Sequence, residues 1–140
     1  MKQKNETAAL WLHLFVGLGA VGGGLAAITD PLTPMGMDAA TALAFSPFRT
    51  FLIPGLFLFA VLGGGNLLLA AMLSRKGGVW LYGSAAAGIV LMLWLVIQCA
   101  MLRAVHPLHV IFFVIGAAQL YLPFDRNRRA GQKENHAKKA

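Results

Sequence analysis

The chain alternates long apolar runs with short polar breaks. Residues 8–29, 51–73, 79–102 and 106–124 form four stretches with no Asp, Glu, Lys or Arg in their interiors. A helix crosses the hydrocarbon of a bilayer with about 20 apolar residues, so the pattern predicts an all-α integral membrane four-helix bundle. Ser46-Pro47 makes a good cap and first turn for the second helix. The predicted spans are then about 8–29, 47–73, 79–102 and 106–124, within one domain over residues 1–124. Composition agrees with lipid as the solvent, with 58% hydrophobic and 12% charged residues and a mean hydropathy of +0.68.

Inside the second run stands VLGGGNLLLA, three glycines and an asparagine where leucine would suit lipid. An offset of 53 lays residues 54–69 on residues 107–122, with six identities in sixteen positions. Pro54 falls on Pro107, Gly63 on Gly116, and the carboxamide of Asn66 on that of Gln119. Spans one and three align less well, through Gly17 with Gly83 and Gly22 with Gly88. The expectation is two tandem hairpins related by a pseudo-twofold axis along the membrane normal. Chance similarity between apolar helices is the competing explanation. Glycines 63–65 would be contact positions, because lipid supplies no hydrophobic drive and helices associate through small residues.

Helical phase gives each span one face for protein and one for lipid. His13, Gly17, Ala20, Gly24 and Ala27 share an arc of span one, and Gly55, Phe59, Gly63, Asn66 and Ala70 do so in span two. Ser84, Gly88, Leu91 and Gln98 align in span three, and His109, Phe112, Gly116 and Gln119 in span four. The packing positions are thus Gly17, Gly24, Gly63, Gly88 and Gly116. Depth at about 1.5 Å per residue sorts the polar groups into an inner layer of His13, Asn66, Ser84 and Gln119, and an outer group of Asp30, Gln98, Arg103, His106 and His109. An amide alone in hydrocarbon is costly, so the inner four should face one another, either as interhelical hydrogen bonds or as a site for a polar solute or proton.

Charge sets the topology. Lys2, Lys4, Arg75, Lys76, Arg126, Arg128, Arg129, Lys133, Lys138 and Lys139 fall on one side of the spans, and only Arg49 and Arg103 on the other. The positive-inside rule then places both termini in the cytoplasm and the protein in the cytoplasmic (inner) membrane. A cleavable signal peptide is the rival reading of span one, but the run is long for one and its loss would leave half of the repeat unpaired. Trp11, Trp80, Tyr82 and Tyr121 fall near the inner boundary as an aromatic belt.

The outer loop, 30–46, should carry a short interfacial helix through 39–45, capped by Asp38. The tail, 125–140, reads as basic and disordered, suited to anionic lipid. The net charge of +7 is not spread as a nucleic-acid footprint.

No catalytic constellation stands out: there is no intramembrane carboxylate, no metal-spaced cysteine set and no phosphate loop, and Cys99 is alone. No cofactor and no metal are expected. His13 and His109 lie at opposite faces of the membrane, too far apart to ligate one haem. Chain length and span count resemble those of the small multidrug-resistance exporters, whose first helix carries an intramembrane glutamate that span one lacks. Three functions remain: a noncatalytic accessory or scaffold protein acting through helix packing on a second copy or another membrane protein; an oligomeric transporter or channel; and a membrane enzyme or binder of lipid or quinone.

Overall fold

A computed structural model describes residues 2–74 and 80–139; Arg75 and Lys76, placed by sequence in the turn between spans two and three, lie outside them. The described chain is helical, with no strand. It runs α1 (Lys2–Thr29), a 3₁₀ turn (Pro34–Gly36), α2 (Ala39–Ala42), α3 (Leu52–Phe57), a π-helical segment (Leu58–Gly64), α4 (Gly65–Ser74), α5 (Trp80–Leu102) and α6 (Pro107–Lys139). Four helices are long and apolar enough to cross a membrane: Lys4–Thr29, Leu52–Leu73, Trp80–Leu102 and Pro107–Asp125. The second is continuous through α3, the π segment and α4. The protein is a multi-pass, all-α four-helix bundle.

Small residues let the helices approach. A Cβ on Gly24 would stand 2.7 Å from the backbone nitrogen of Phe59, one on Gly17 2.8 Å from the Leu67 side chain, and one on Gly63 2.8 Å from Val21 Cγ2. On the other pair of helices, a Cβ on Gly116 would stand 2.9 Å from Met92 Cγ, and one on Gly88 would strike the carbonyl of Gly116. All five predicted packing glycines are thus contact points. Of the glycine triplet, however, only Gly63 is one. Gly65 meets nothing and Gly64 only a carbonyl of its own helix. These two sit at the end of the π segment, where backbone without side chains accommodates the wider turn.

The centre of the bundle is Val16, Ala20, Leu62, Leu91, Trp94 and Leu95. Trp94 stacks on Phe57 with ring centroids 4.5 Å apart. Below it, at the end that holds both termini, Ala9, Leu73 and Trp80 close the core. Trp11, Tyr82 and Tyr121 point outward, but Trp80 is buried and does not join an aromatic belt.

At the opposite end the loop folds back over the helices, burying Ala39, Leu43 and Phe51 against Ala27 and Met101. Asp38 caps α2, accepting from the Thr41 amide at 3.1 Å, and the helix ends at Ala42, short of the expected 45. Span two begins at Leu52 rather than 47. Ser46 Oγ accepts instead from the Phe48 amide at 3.0 Å and donates to the Phe48 carbonyl, closing a local turn. The Phe51 amide donates to the Pro31 carbonyl, tying the two ends of the loop together. At the C-terminus, the expected disordered tail is replaced by a continuation of α6 to Lys139, with the side chains of residues 131–139 exposed. Ala, Gln, Glu and Lys are strong helix formers, and a helix already nucleated in the bundle extends through them without a new nucleus.

Candidate functional site

His13 on α1, Asn66 on α4, Ser84 on α5 and Gln119 on α6 are at most 1% exposed, the buried polar residues of the bundle among those described. Each transmembrane helix contributes one. Helix positions explain the convergence: His13 is one turn from Gly17, Asn66 three residues from Gly63, Ser84 one turn from Gly88, and Gln119 three residues from Gly116. The glycines bring the backbones close enough for short polar side chains to reach across.

His13 Nδ1 lies 2.7 Å from Asn66 Oδ1, and His13 Nε2 lies 2.9 Å from Ser84 Oγ. Gln119 Nε2 donates to Asn66 Oδ1 at 2.8 Å and approaches His13 Nδ1 at 3.1 Å. Asn66 Nδ2 donates to the Leu62 carbonyl at 2.8 Å, which leaves Oδ1 as the atom that faces the ring. Ser84 Oγ donates to the backbone carbonyl of Gln119 at 3.0 Å. That last bond has a cause in the sequence. The carbonyl of residue 119 would ordinarily accept from the amide of residue 123, but residue 123 is proline, inside α6, and has no N–H. The Ser84 hydroxyl supplies the missing donor.

Two buried polar atoms have no hydrogen-bond partner among the described residues, Gln119 Oε1 and Trp94 Nε1. Trp94 lies beyond the cluster, toward the loop end. Two surface clefts, one lined by Lys4, Thr7, Ala8 and Trp11 and one by Met92, Tyr121, Phe124 and Arg128 among others, include none of the four cluster residues.

The outer group does not assemble in the same way. Asp30 accepts from the Thr33 hydroxyl at 2.7 Å and from the Thr33 amide at 3.0 Å, and these bonds hold its carboxyl below the ordinary value of 3.8. Arg103, in left-handed backbone at φ 46, sits 4.0 Å over the Phe45 ring. His109 Nδ1 accepts from the His106 amide at 3.0 Å, so it serves as a cap for the start of α6. Gln98 is half-buried. No group of three or more His, Cys, Asp or Glu able to hold a metal occurs among the described residues.

Sequence reasoning missed the π segment and the role of Pro123. The triple glycine was the available signal for the first, and a proline four residues after Gln119 for the second. No protein-family model, curated protein or solved structure matches the chain.

Proposed function

We propose that this is a noncatalytic membrane scaffold or accessory protein, whose four spans are locked by the His13–Asn66–Ser84–Gln119 joint and which works by presenting helix surfaces to a membrane partner. The observation that carries the reading is that all four polar side chains bond one another and adjacent backbone at 0–1% exposure, with Gln119 Oε1 the one buried oxygen of the four that has no partner among the described residues. A transport path or active site would need some of those groups facing a cavity. Interhelical hydrogen bonds of this kind contribute about 0.6 to 2 kcal/mol each in membranes, and a four-way joint also sets helix register.

The joint favours an internal repeat. His13 and Ser84 are 71 residues apart, the same step that separates Gly17 from Gly88 and Val21 from Met92. Asn66 and Gln119 are 53 apart, as are Gly63 and Gly116. Gly17 packs on Leu67 and Gly88 on Leu120; Gly63 packs on Val21 and Gly116 on Met92. On this register His13 is equivalent to Ser84 and Asn66 to Gln119, and each pair meets as residues beside a pseudo-twofold axis do. The step for spans one and three replaces the weaker Gly17–Gly83 and Gly22–Gly88 alignment. The charge asymmetry supports the cytoplasmic membrane, with both termini cytoplasmic and the basic C-terminal helix near anionic lipid.

Native mass spectrometry of the protein released from mild detergent tests the scaffold reading. Recovery without a small solute, alone or with a protein partner, is the expected result. A small molecule retained reproducibly, and lost on His13→Ala substitution, overturns it in favour of solute handling.

A further inference from the structure

The bonds of the joint restrict where its protons can sit. Asn66 Oδ1 carries no hydrogen and is held facing the ring by the Asn66–Leu62 bond. The 2.7 Å contact therefore needs a proton on His13 Nδ1. On the other side of the ring, Ser84 has one hydroxyl proton, and it is committed to the Gln119 carbonyl, whose usual donor is missing at Pro123. The 2.9 Å contact between Ser84 Oγ and His13 Nε2 then needs a proton on Nε2 as well. A neutral imidazole has one N–H and an imidazolium has two. The shortest contact, at 2.7 Å, also falls where charge-assisted N–H···O bonds do.

Neither neutral ring makes every contact of the joint, whereas the imidazolium gives up only the longer Gln119 Nε2–Nδ1 approach, Gln119 then bonding Asn66 Oδ1. With its proton on Nδ1, the ring competes with the Gln119 carbonyl for the single Ser84 proton, and one acceptor goes without. With its proton on Nε2, the lone pairs of Nδ1 and Asn66 Oδ1 face each other at 2.7 Å. In that second state Gln119 Nε2, 3.1 Å away, becomes the donor to Nδ1.

We infer that the joint is a proton-binding site: His13 holds a second ring proton between Asn66 and Ser84, and its release passes Nδ1 from Asn66 on α4 to Gln119 on α6. The ligand is a proton, and the balance is simple: one N–H bond forms on uptake and the same bond breaks on release, with the proton going to or coming from water. The inference goes beyond the scaffold reading, since a joint that never binds a proton would still hold the helices together.

Among the described residues no other titratable group hydrogen-bonds the ring. The groups around it are Asn66 from α4, Ser84 from α5 and Gln119 from α6. Tyr82 and Tyr121, each two residues from a cluster member, are exposed on the outside of the bundle. Lys4 and Glu6 on α1 and Asp125 and Arg128 on α6 lie toward the terminal end, at least about 9 Å along the helix axes from His13 or Gln119. The charge of an imidazolium would be met by oxygen dipoles alone.

Ring-¹⁵N-histidine NMR of the full chain in phosphatidylcholine–phosphatidylglycerol nanodiscs tests this, over about pH 4.5 to 9, with His13→Gln to assign the signal. The expected result is a His13 resonance pair that passes from two protonated nitrogens to one as pH rises, with the Gln119 side-chain amide moving at the same midpoint. Ser84→Ala removes one acceptor of the imidazolium and should lower the midpoint by about one pH unit, a tenfold loss of proton affinity; Ser84→Thr keeps the hydroxyl and should leave it in place. A His13 ring with one protonated nitrogen at every pH overturns the proposal, and the wild-type protein alone decides that. A midpoint unmoved by Ser84→Ala overturns it too.

Discussion

Gly88 and Gly116 cross backbone to backbone: a Cβ on Gly88 would strike the Gly116 carbonyl, and would lie 2.9 Å from the Leu120 amide nitrogen and 3.2 Å from Gln119 Cβ. Backbone atoms cannot rotate away, so Gly88→Ala must push α5 and α6 apart, beside the joint. A loss of about 1 to 3 kcal/mol is expected, measured by unfolding in mixed micelles. Gly22, with nothing within 4 Å of its added Cβ, is the control. Gly22→Ala should be neutral or stabilising by up to about 1 kcal/mol, since alanine is the better helix former.

Asn66→Leu should be among the most damaging single changes at the joint. Asn66 Oδ1 is the acceptor for Gln119 Nε2 and the neighbour of His13 Nδ1. Leucine leaves both polar groups buried with one partner fewer, at about 1 to 3 kcal/mol for each donor left unsatisfied. A double-mutant cycle of Asn66→Leu with Gln119→Leu should show coupling of at least about 0.5 kcal/mol. Additive losses would mean that the two carboxamides do not act together.

The four residues of the joint were legible in the sequence, whereas the outer group was not, and the difference is one of solvent. His13, Asn66, Ser84 and Gln119 lie within apolar runs, where no water competes. The phase of each helix therefore forces them to one another. Asp30, Arg103, His106 and His109 lie at span ends, where nothing compels long-range pairing. Asp30 and the histidines take partners three residues away, Thr33 and the His106 amide, while Arg103 lies over the Phe45 ring of the outer loop and makes no polar contact with the rest of the group. The same holds for Ser46, which closes on Phe48 because no apolar run requires the helix to start there. The π segment was hidden because 3.6-residue periodicity assumes the geometry it departs from.

The Asp30 turn should loosen in acid. Its native carboxyl lies below 3.8 because the Thr33 hydroxyl and amide donate to the ionised form. Its contribution to folding is therefore fully present above that ordinary value, and is lost as pH falls through the lower native one. Amide hydrogen exchange at Thr33, corrected for intrinsic rates, should show protection at pH 6 that is lost only as pH falls below the ordinary carboxyl value of 3.8. Asp30→Asn should remove the pH dependence; an unchanged profile in that variant would assign it to another group.

Both termini should react from the cytoplasmic face. Asn5 Nδ2 lies 3.4 Å from Asp125 Oδ2, so α1 and α6 reach the same end of the bundle, the end to which the sequence assigns most Lys and Arg. In a Cys99→Ser background, Glu134→Cys should be labelled by a membrane-impermeant maleimide only after the membrane is opened, and Thr33→Cys in intact cells. The reverse pattern would place the basic end outside, against the positive-inside rule.

Pro123 provides the sharpest test of why Ser84 is a serine. Its missing amide leaves the Gln119 carbonyl without its helical donor, and the Ser84 hydroxyl takes that place at 3.0 Å. In the wild-type background Ser84→Ala therefore leaves two buried groups without partners at once, the His13 Nε2–H without its acceptor and the Gln119 carbonyl without its donor, for an expected loss of about 1 to 3 kcal/mol. Pro123→Ala restores an N–H four residues beyond Gln119 and removes the clash of the ring with that carbonyl. In the Pro123→Ala background the cost of Ser84→Ala should fall by about 1 kcal/mol, because the carbonyl no longer depends on the hydroxyl. Equal costs in the two backgrounds, read by the same micelle unfolding assay, would show that Ser84 serves His13 alone, and would release the hydroxyl proton on which the proton count at the joint depends.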